Sequence, residues 1–145
     1  MAGRGDPPSF AAMDLSRRNW PAGTPEWPAP LAEFAARHRS GRTEALFVMH
    51  ACAAMTARHV SVLVATGRQS VQAPVRAMVW DSLRHDAELL LIAHTHPSGD
   101  VRPSKSDIDL TRHLARIYRA IGIRIADHVI LTRDAHFSFR AEGLL

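Results

Sequence analysis

The stretch from His94 to Asp107, His-Thr-His-Pro-Ser-Gly-Asp-Val-Arg-Pro-Ser-Lys-Ser-Asp, brings two imidazoles, serine hydroxyls and carboxylates into one short segment. A zinc hydrolase needs three protein ligands drawn from nitrogen and oxygen donors, with one position left open for water. His94, His96 and Asp107 are the candidates for those three.

The order of residues supports the grouping. A strand turns over every second side chain, so His94 and His96 share a face while Thr95 points away. Pro97-Ser98-Gly99 then reverses the chain, with glycine able to supply a left-handed backbone. Pro103-Ser104-Lys105-Ser106-Asp107 announces a helix, with Ser104 as N-cap and Asp107 three residues on, as in a capping box. Capping alone would account for both residues. The helix face argues for more: Asp107, Leu110, Leu114, Ile117 and Ile121 fall at spacings of three and four, on one stripe that should face the core. A carboxylate pointing inward needs a compensating partner, and a metal ion is one. Asp109 lies about 200° around the helix from Asp107 and is a poor ligand for that reason.

These residues need a scaffold. The chain has 145 residues, 46% of them hydrophobic, which suits one domain with a real core. Residues 1–28 are rich in proline and glycine and show no period, so they read as a mobile arm, though Trp20 and Trp27 are rings that dock onto surfaces. Residues 29–145 read as the folded domain. A short helix is expected from Leu31 to about Ser40, strands at Ala45–Met49 and His59–Ala65, and a helix at Val75–His85 with Met78, Val79 and Leu83 on one side and Trp80 in its core. Leu89–Ala93 is a fully apolar strand of the buried type. Lys105–Ile121 is a helix stopped by Gly122. One or two strands follow across Ile123, Ile125, Val129 and Leu131, and a last one spans Phe137–Arg140. Alternating strands and helices predict an α/β fold, a mixed sheet flanked by helices.

The single cysteine, Cys52, excludes an intrachain disulfide and favours a reducing compartment. No apolar run is long enough to span a membrane, and the N-terminus lacks a signal core, so the expectation is cytoplasmic with no membrane partner. The net charge of +4 permits a nucleic-acid partner without requiring one. Lys105, Arg112, Arg116 and Arg119 line the outer helix face, by default a solvated one, and no aromatic interleaving favours base stacking. Cys52 and His50, near a strand end, form no recognisable site. Asp127 and His128 read by default as structural hydrogen-bonding groups, with a place behind the site or facing the substrate as the alternative.

His94-x-His96, seven residues, Ser104, two residues, Asp107 resembles the JAMM motif of the JAB/MPN-domain metalloproteases. His-x-His-Pro-Ser-Gly-Asp followed by Pro-Ser-x-x-Asp-Ile-x-Leu-Thr is similar to the RadC branch, as are Gly122-Ile123, Asp127-His128-Val129-Ile130 and the ending Glu142-Gly143-Leu144-Leu145. The similarity covers about residues 30 to 145. It implies a three-layer, cytidine-deaminase-like fold and one Zn2+ per chain held by two His, one Asp and a water. It also implies a catalytic glutamate at the start of the first core strand, a place that Glu44 occupies. Glu33 faces away on its helix, and Glu88 precedes the buried strand at the end far from His94, so Glu44 is the best placed of the three. In such a site Glu44 would carry the proton and Ser104 would hydrogen-bond the water or the developing oxyanion. RadC proteins commonly carry an N-terminal helix-hairpin-helix domain, for which these 145 residues leave no room.

Two functions follow as expectations. One is a zinc-dependent hydrolase acting on a peptide or isopeptide bond of a peptide or protein substrate. The other is a DNA-associated accessory module in which the metal is structural. The sequence carries no signal for oligomeric state.

Overall fold

The computed structural model describes residues 27–67 and 70–145. The proline-rich segment 1–26, including Trp20, lies outside the described residues. Three helices and five strands follow in the order α1 (Ala29–His38), β1 (Ala45–Ala51), β2 (Ala57–Val64), α2 (Val75–Arg84), β3 (Leu89–Thr95), α3 (Lys105–Ala120), β4 (Arg124–Leu131) and β5 (His136–Ser138). The strands form one mixed sheet in the order β2-β1-β3-β4-β5. Only β3 and β4 run parallel, and α3 is the crossover that a parallel pair requires. No helix among the described residues is long and apolar enough to cross a membrane.

Strands β1 and β3 are buried along their whole length, which is why both read as apolar runs rather than alternating patterns. Alternation then sorts their side chains into two cores. Phe47, Met49, Leu89, Leu91 and Ala93 meet Leu31, Phe34 and Ala35 of α1. Leu46, Val48, Leu90 and Ile92 meet Met78 of α2 and Leu114 and Tyr118 of α3. The architecture is therefore three-layered: α1, the sheet, then α2 with α3. Trp27 joins the first core and meets His136 edge-on at 5.6 Å, so this ring docks on the chain's own fold.

Two helices are rotated relative to the apolar pattern. In α2 the buried residues are Met78 and Ser82, whereas Trp80 is 65% and Leu83 56% exposed. The expected Trp80 core position is therefore wrong, as is the inward place for Leu83. The physical reason is a polar contact: Ser82 Oγ accepts from the buried His50 Nδ1 at 2.8 Å and meets Tyr118 Oη at 3.1 Å. In α3 the buried line is Thr111, Leu114 and Tyr118, and Ile121 at 38% exposure lies outside it. Here too a threonine takes an inward position because it has a buried hydrogen-bonding job, described below.

Strand β4 carries a bulge. Leu90 pairs with Ile125 but Leu91 pairs with Asp127, which leaves Ala126 as the extra residue. The bulge switches the faces beyond it. Val129 joins the α1 side with Ala93, while His128 pairs with Ile92 on the α3 side, beside His94.

Candidate metal centre

The centre is assembled at the C-terminal end of β3 and the N-terminal end of α3. His94 is in the last turn of the pleat of β3, and His96 follows the strand's end at Thr95. Gly99 at φ +83° and the 3.1 Å bond from its N–H to the His96 carbonyl make the tight reversal that the Pro-Ser-Gly sequence suggested. Ser104 caps α3 by accepting from the Asp107 N–H, and the Asp107 carboxylate accepts in return from the Ser104 N–H, a complete capping box.

Asp107 does more than cap. Its Oδ1 lies 3.2 Å from His94 Nε2 and its Oδ2 lies 3.4 Å from His96 Nε2, with all three side chains largely screened from solvent. His94 Nε2 and His96 Nε2 are themselves 2.9 Å apart. His94, His96 and Asp107 thus present one nitrogen or oxygen atom each within 4.8 Å of one another.

The hydrogen bonds around the cluster assign its protons. Thr111 Oγ1 donates to the Asp107 carbonyl at 2.6 Å, so it must accept from His128 Nδ1, also at 2.6 Å. His128 Nε2 is then an acceptor, and His94 Nδ1–H donates to it at 2.8 Å. His96 Nδ1–H donates to the Asp100 carbonyl at 2.8 Å. Both ligand candidates therefore hold their proton on Nδ1 and turn a bare Nε2 lone pair toward the other. Two lone pairs and a carboxylate converging this closely need a cation between them, a proton or a metal ion. The donor set fits zinc: two neutral imidazoles and one carboxylate, each imidazole oriented by an acceptor on its far nitrogen.

The charges agree. Burial pulls the Asp107 pKa upward, but hydrogen bonds from His94 and His96 in their protonated forms, and from Ser104, outweigh it and hold the carboxyl well below the ordinary range. The hydrogen bond to Asp107 raises the His96 pKa against the opposing effect of burial. His128, fully buried, is pushed well below the usual histidine value and stays neutral, as its acceptor role demands.

Glu44 sits one residue before β1, two residues from Leu46, which pairs with His94. Its Oε2 accepts from the Val71 N–H at 2.9 Å. Glu44, Ser104 and the three candidate ligands line one cleft of about 650 Å³, together with Leu46, His128 and residues of the segment before α2. Ser104 Oγ lies 2.7 Å from Asp107 Oδ2 and donates to it. Asp109, exposed, pairs with Lys105 at 2.6 Å and is no part of the cluster. Two contributors carried no signal of their own in the sequence. The Asp100 carbonyl is a backbone group, and Thr111 is marked only by lying one turn after Asp107. Asp127, the neighbour of His128, accepts from Ser138 Oγ and from the backbone N–H groups of His128 and Arg140, a purely structural set of bonds.

A family model described as a RadC-like JAB domain matches residues 27–144. Among curated proteins, the chain is 42% identical over 80 residues to a UPF0758 protein of Porphyromonas gingivalis, covering 54% of this chain and 35% of that one. It is 43% identical over 70 residues to UPF0758 protein Bpet3149 of Bordetella petrii, covering 48% and 31%. A UPF0758 protein of Trichlorobacter lovleyi is 38% identical over 88 residues, covering 61% and 38%. The matched segment spans about a third of the length of these relatives.

Proposed function

The chain belongs to the RadC-like JAB domain family, and on that premise we propose that it is a zinc-dependent hydrolase cleaving a peptide or isopeptide bond. The observation that carries this reading is the pair of Nδ1-protonated imidazoles whose bare Nε2 atoms meet at 2.9 Å beside a carboxylate, in an open cleft. His94, His96 and Asp107 would hold the ion. A zinc ion with an open position supplies a water whose pKa falls toward about 7 and polarises a carbonyl oxygen.

The protein's own groups supply the rest. Glu44 is the proton carrier: it takes a proton from the attacking water and delivers it to the leaving amine. The Val71 N–H fixes one carboxylate oxygen and so limits how far Glu44 can swing. Ser104 steadies the oxyanion by turning its hydroxyl from Asp107 to the substrate, and its exposure at the cleft rim leaves room for that rotation. The His94–His128–Thr111 relay holds the His94 proton on Nδ1 and aims its Nε2 into the cleft.

The test has two parts. Purified protein should carry zinc that His96→Ala and Asp107→Ala each remove from this site. Glu44→Gln should keep that zinc yet lower turnover of a fluorogenic peptide and ε-amino isopeptide library by about 10²- to 10⁴-fold. Zinc at this site surviving both ligand substitutions would end the proposal, as would full turnover by the Glu44 variant.

A further inference from the structure

A second cluster of imidazoles lies on the same face of the sheet, at the other end of β1. His94 pairs with Leu46 at one end, whereas His50 pairs with Leu90 and with His59 at the other, about 13 Å away along the strand. His59 on β2 faces the last turn of α2, where its Nε2 lies 3.6 Å from Asp81 Oδ2. His85, the C-cap of α2, stacks on His59 with ring centroids 4.4 Å apart. One ligand atom from each of His59, Asp81 and His85 falls within 4.8 Å of the others. For zinc bonds of about 2.0–2.2 Å, tetrahedral ligand atoms stand about 3.3–3.6 Å apart, which the His59–Asp81 pair already matches.

A further imidazole lies behind this cluster. His50, fully buried, has its ring 5.4 Å from that of His59. Ser82 Oγ donates to the Met78 carbonyl and so must accept from His50 Nδ1–H. That fixes the tautomer and leaves His50 Nε2 as a bare lone pair. It is the one buried side-chain nitrogen or oxygen without a hydrogen-bond partner among the described residues. Such an atom costs about 1–3 kcal/mol in the interior unless something engages it.

The geometry points to a second zinc site in which His59, Asp81 and His85 are the protein ligands, the fourth position is open to water, and the buried His50 ring lies behind His59. Imidazole with carboxylate is a donor set for zinc rather than for calcium or magnesium. Binding requires the stacked His59–His85 pair to open, by rotation of the half-exposed His85 ring. The ion would tie the edge strand β2 to the C-terminal end of α2. This site shares no residue with the candidate hydrolytic centre and does not depend on its chemistry.

The experiment uses the full chain, free of any affinity tag, titrated with Zn2+ against a chromophoric chelator. Co2+ absorption serves as a second readout of ligand number. Wild type should bind two equivalents. The double variant His96→Ala, Asp107→Ala should keep one, with an affinity better than about 1 μM. Adding His59→Ala or His85→Ala to that background should weaken the remaining site at least tenfold. Circular dichroism checks that each variant folds, and His59→Gln replaces any alanine variant that does not. No zinc left after removal of His96 and Asp107 would overturn the proposal, as would a remaining equivalent indifferent to His59 and His85. If instead the hydrolytic reading is the one that fails, wild type binds one equivalent, and His59→Ala abolishes it.

Discussion

His94 and His96 are two residues apart in sequence but differ in how they are held. His96 gives its Nδ1 proton to a backbone carbonyl in the turn that follows it, at Asp100. His94 gives its proton to another histidine, His128, which is itself oriented by Thr111. The second arrangement is the more fragile, because His128 can accept only while it stays neutral, and burial is what keeps it so. Groups that orient a metal-bound imidazole typically contribute ten- to a hundredfold in metal affinity. His128→Ala should therefore weaken zinc binding at the candidate centre by about that factor, read by chelator competition. His128→Gln, whose amide oxygen can still accept, should recover part of the loss. Equal affinity in wild type and His128→Ala would show that the relay does not orient His94.

At the scale of elements, polar residues in the interior decide orientations that apolar periodicity does not reveal. The buried face of α2 is set by Ser82, which links His50 of β1 to Tyr118 of α3, so Met78 and Val79 face the core as expected while Leu83 and Trp80 do not. In α3 the same happens through Thr111. The strands and the candidate ligands were legible for the opposite reason. Fully buried strands are continuous apolar runs, and a His-x-His at a strand end has only one face to share. The contact between His128 and His94 was not legible, because it depends on the extra residue Ala126, and a bulge leaves no mark on hydrophobic alternation. The burial of His50 has a measurable consequence. Burial, with His59 beside it, pushes the His50 pKa down to about 4. A histidine whose folded pKa lies below its unfolded value of about 6.5 contributes stability above pH 6.5 that is lost as pH falls toward 4, since the unfolded chain takes up the proton first. Metal-free protein, kept so by chelator, should lose about 3 kcal/mol of unfolding free energy from this group between pH 7 and pH 4. His50→Gln should flatten that part of the profile in denaturant titrations. An unchanged slope in the variant would assign the pH dependence to other groups.

For the whole molecule, the candidate centre joins parts that are distant along the chain. His94 and His96 lie at the end of β3, Asp107 begins α3, and Glu44 leads into β1, all at one end of these central strands. In the absence of a cation, two lone pairs and a carboxylate oppose one another there. Folding must bring them together regardless, because Leu91, Ile92 and Leu114 draw β3 and α3 into the two cores. A ligand that binds only the folded state stabilises it by RT ln(1 + [L]/Kd), about 4 kcal/mol at free zinc a thousandfold above Kd. For a chain of this size each kcal/mol shifts Tm by about 2–4 °C. Stripping zinc by chelation should then lower Tm by about 10 °C for each filled site, measured by calorimetry against protein in free zinc at that excess. His96→Ala isolates the contribution of this centre. Its Tm should start low, and chelator should lower it further only by what other bound zinc contributes. The difference between the two chelation shifts is the stabilisation that belongs to His94, His96 and Asp107. A full shift retained in His96→Ala would mean that zinc acts elsewhere, and that the carboxylate and imidazoles at the start of α3 are held together by a proton alone.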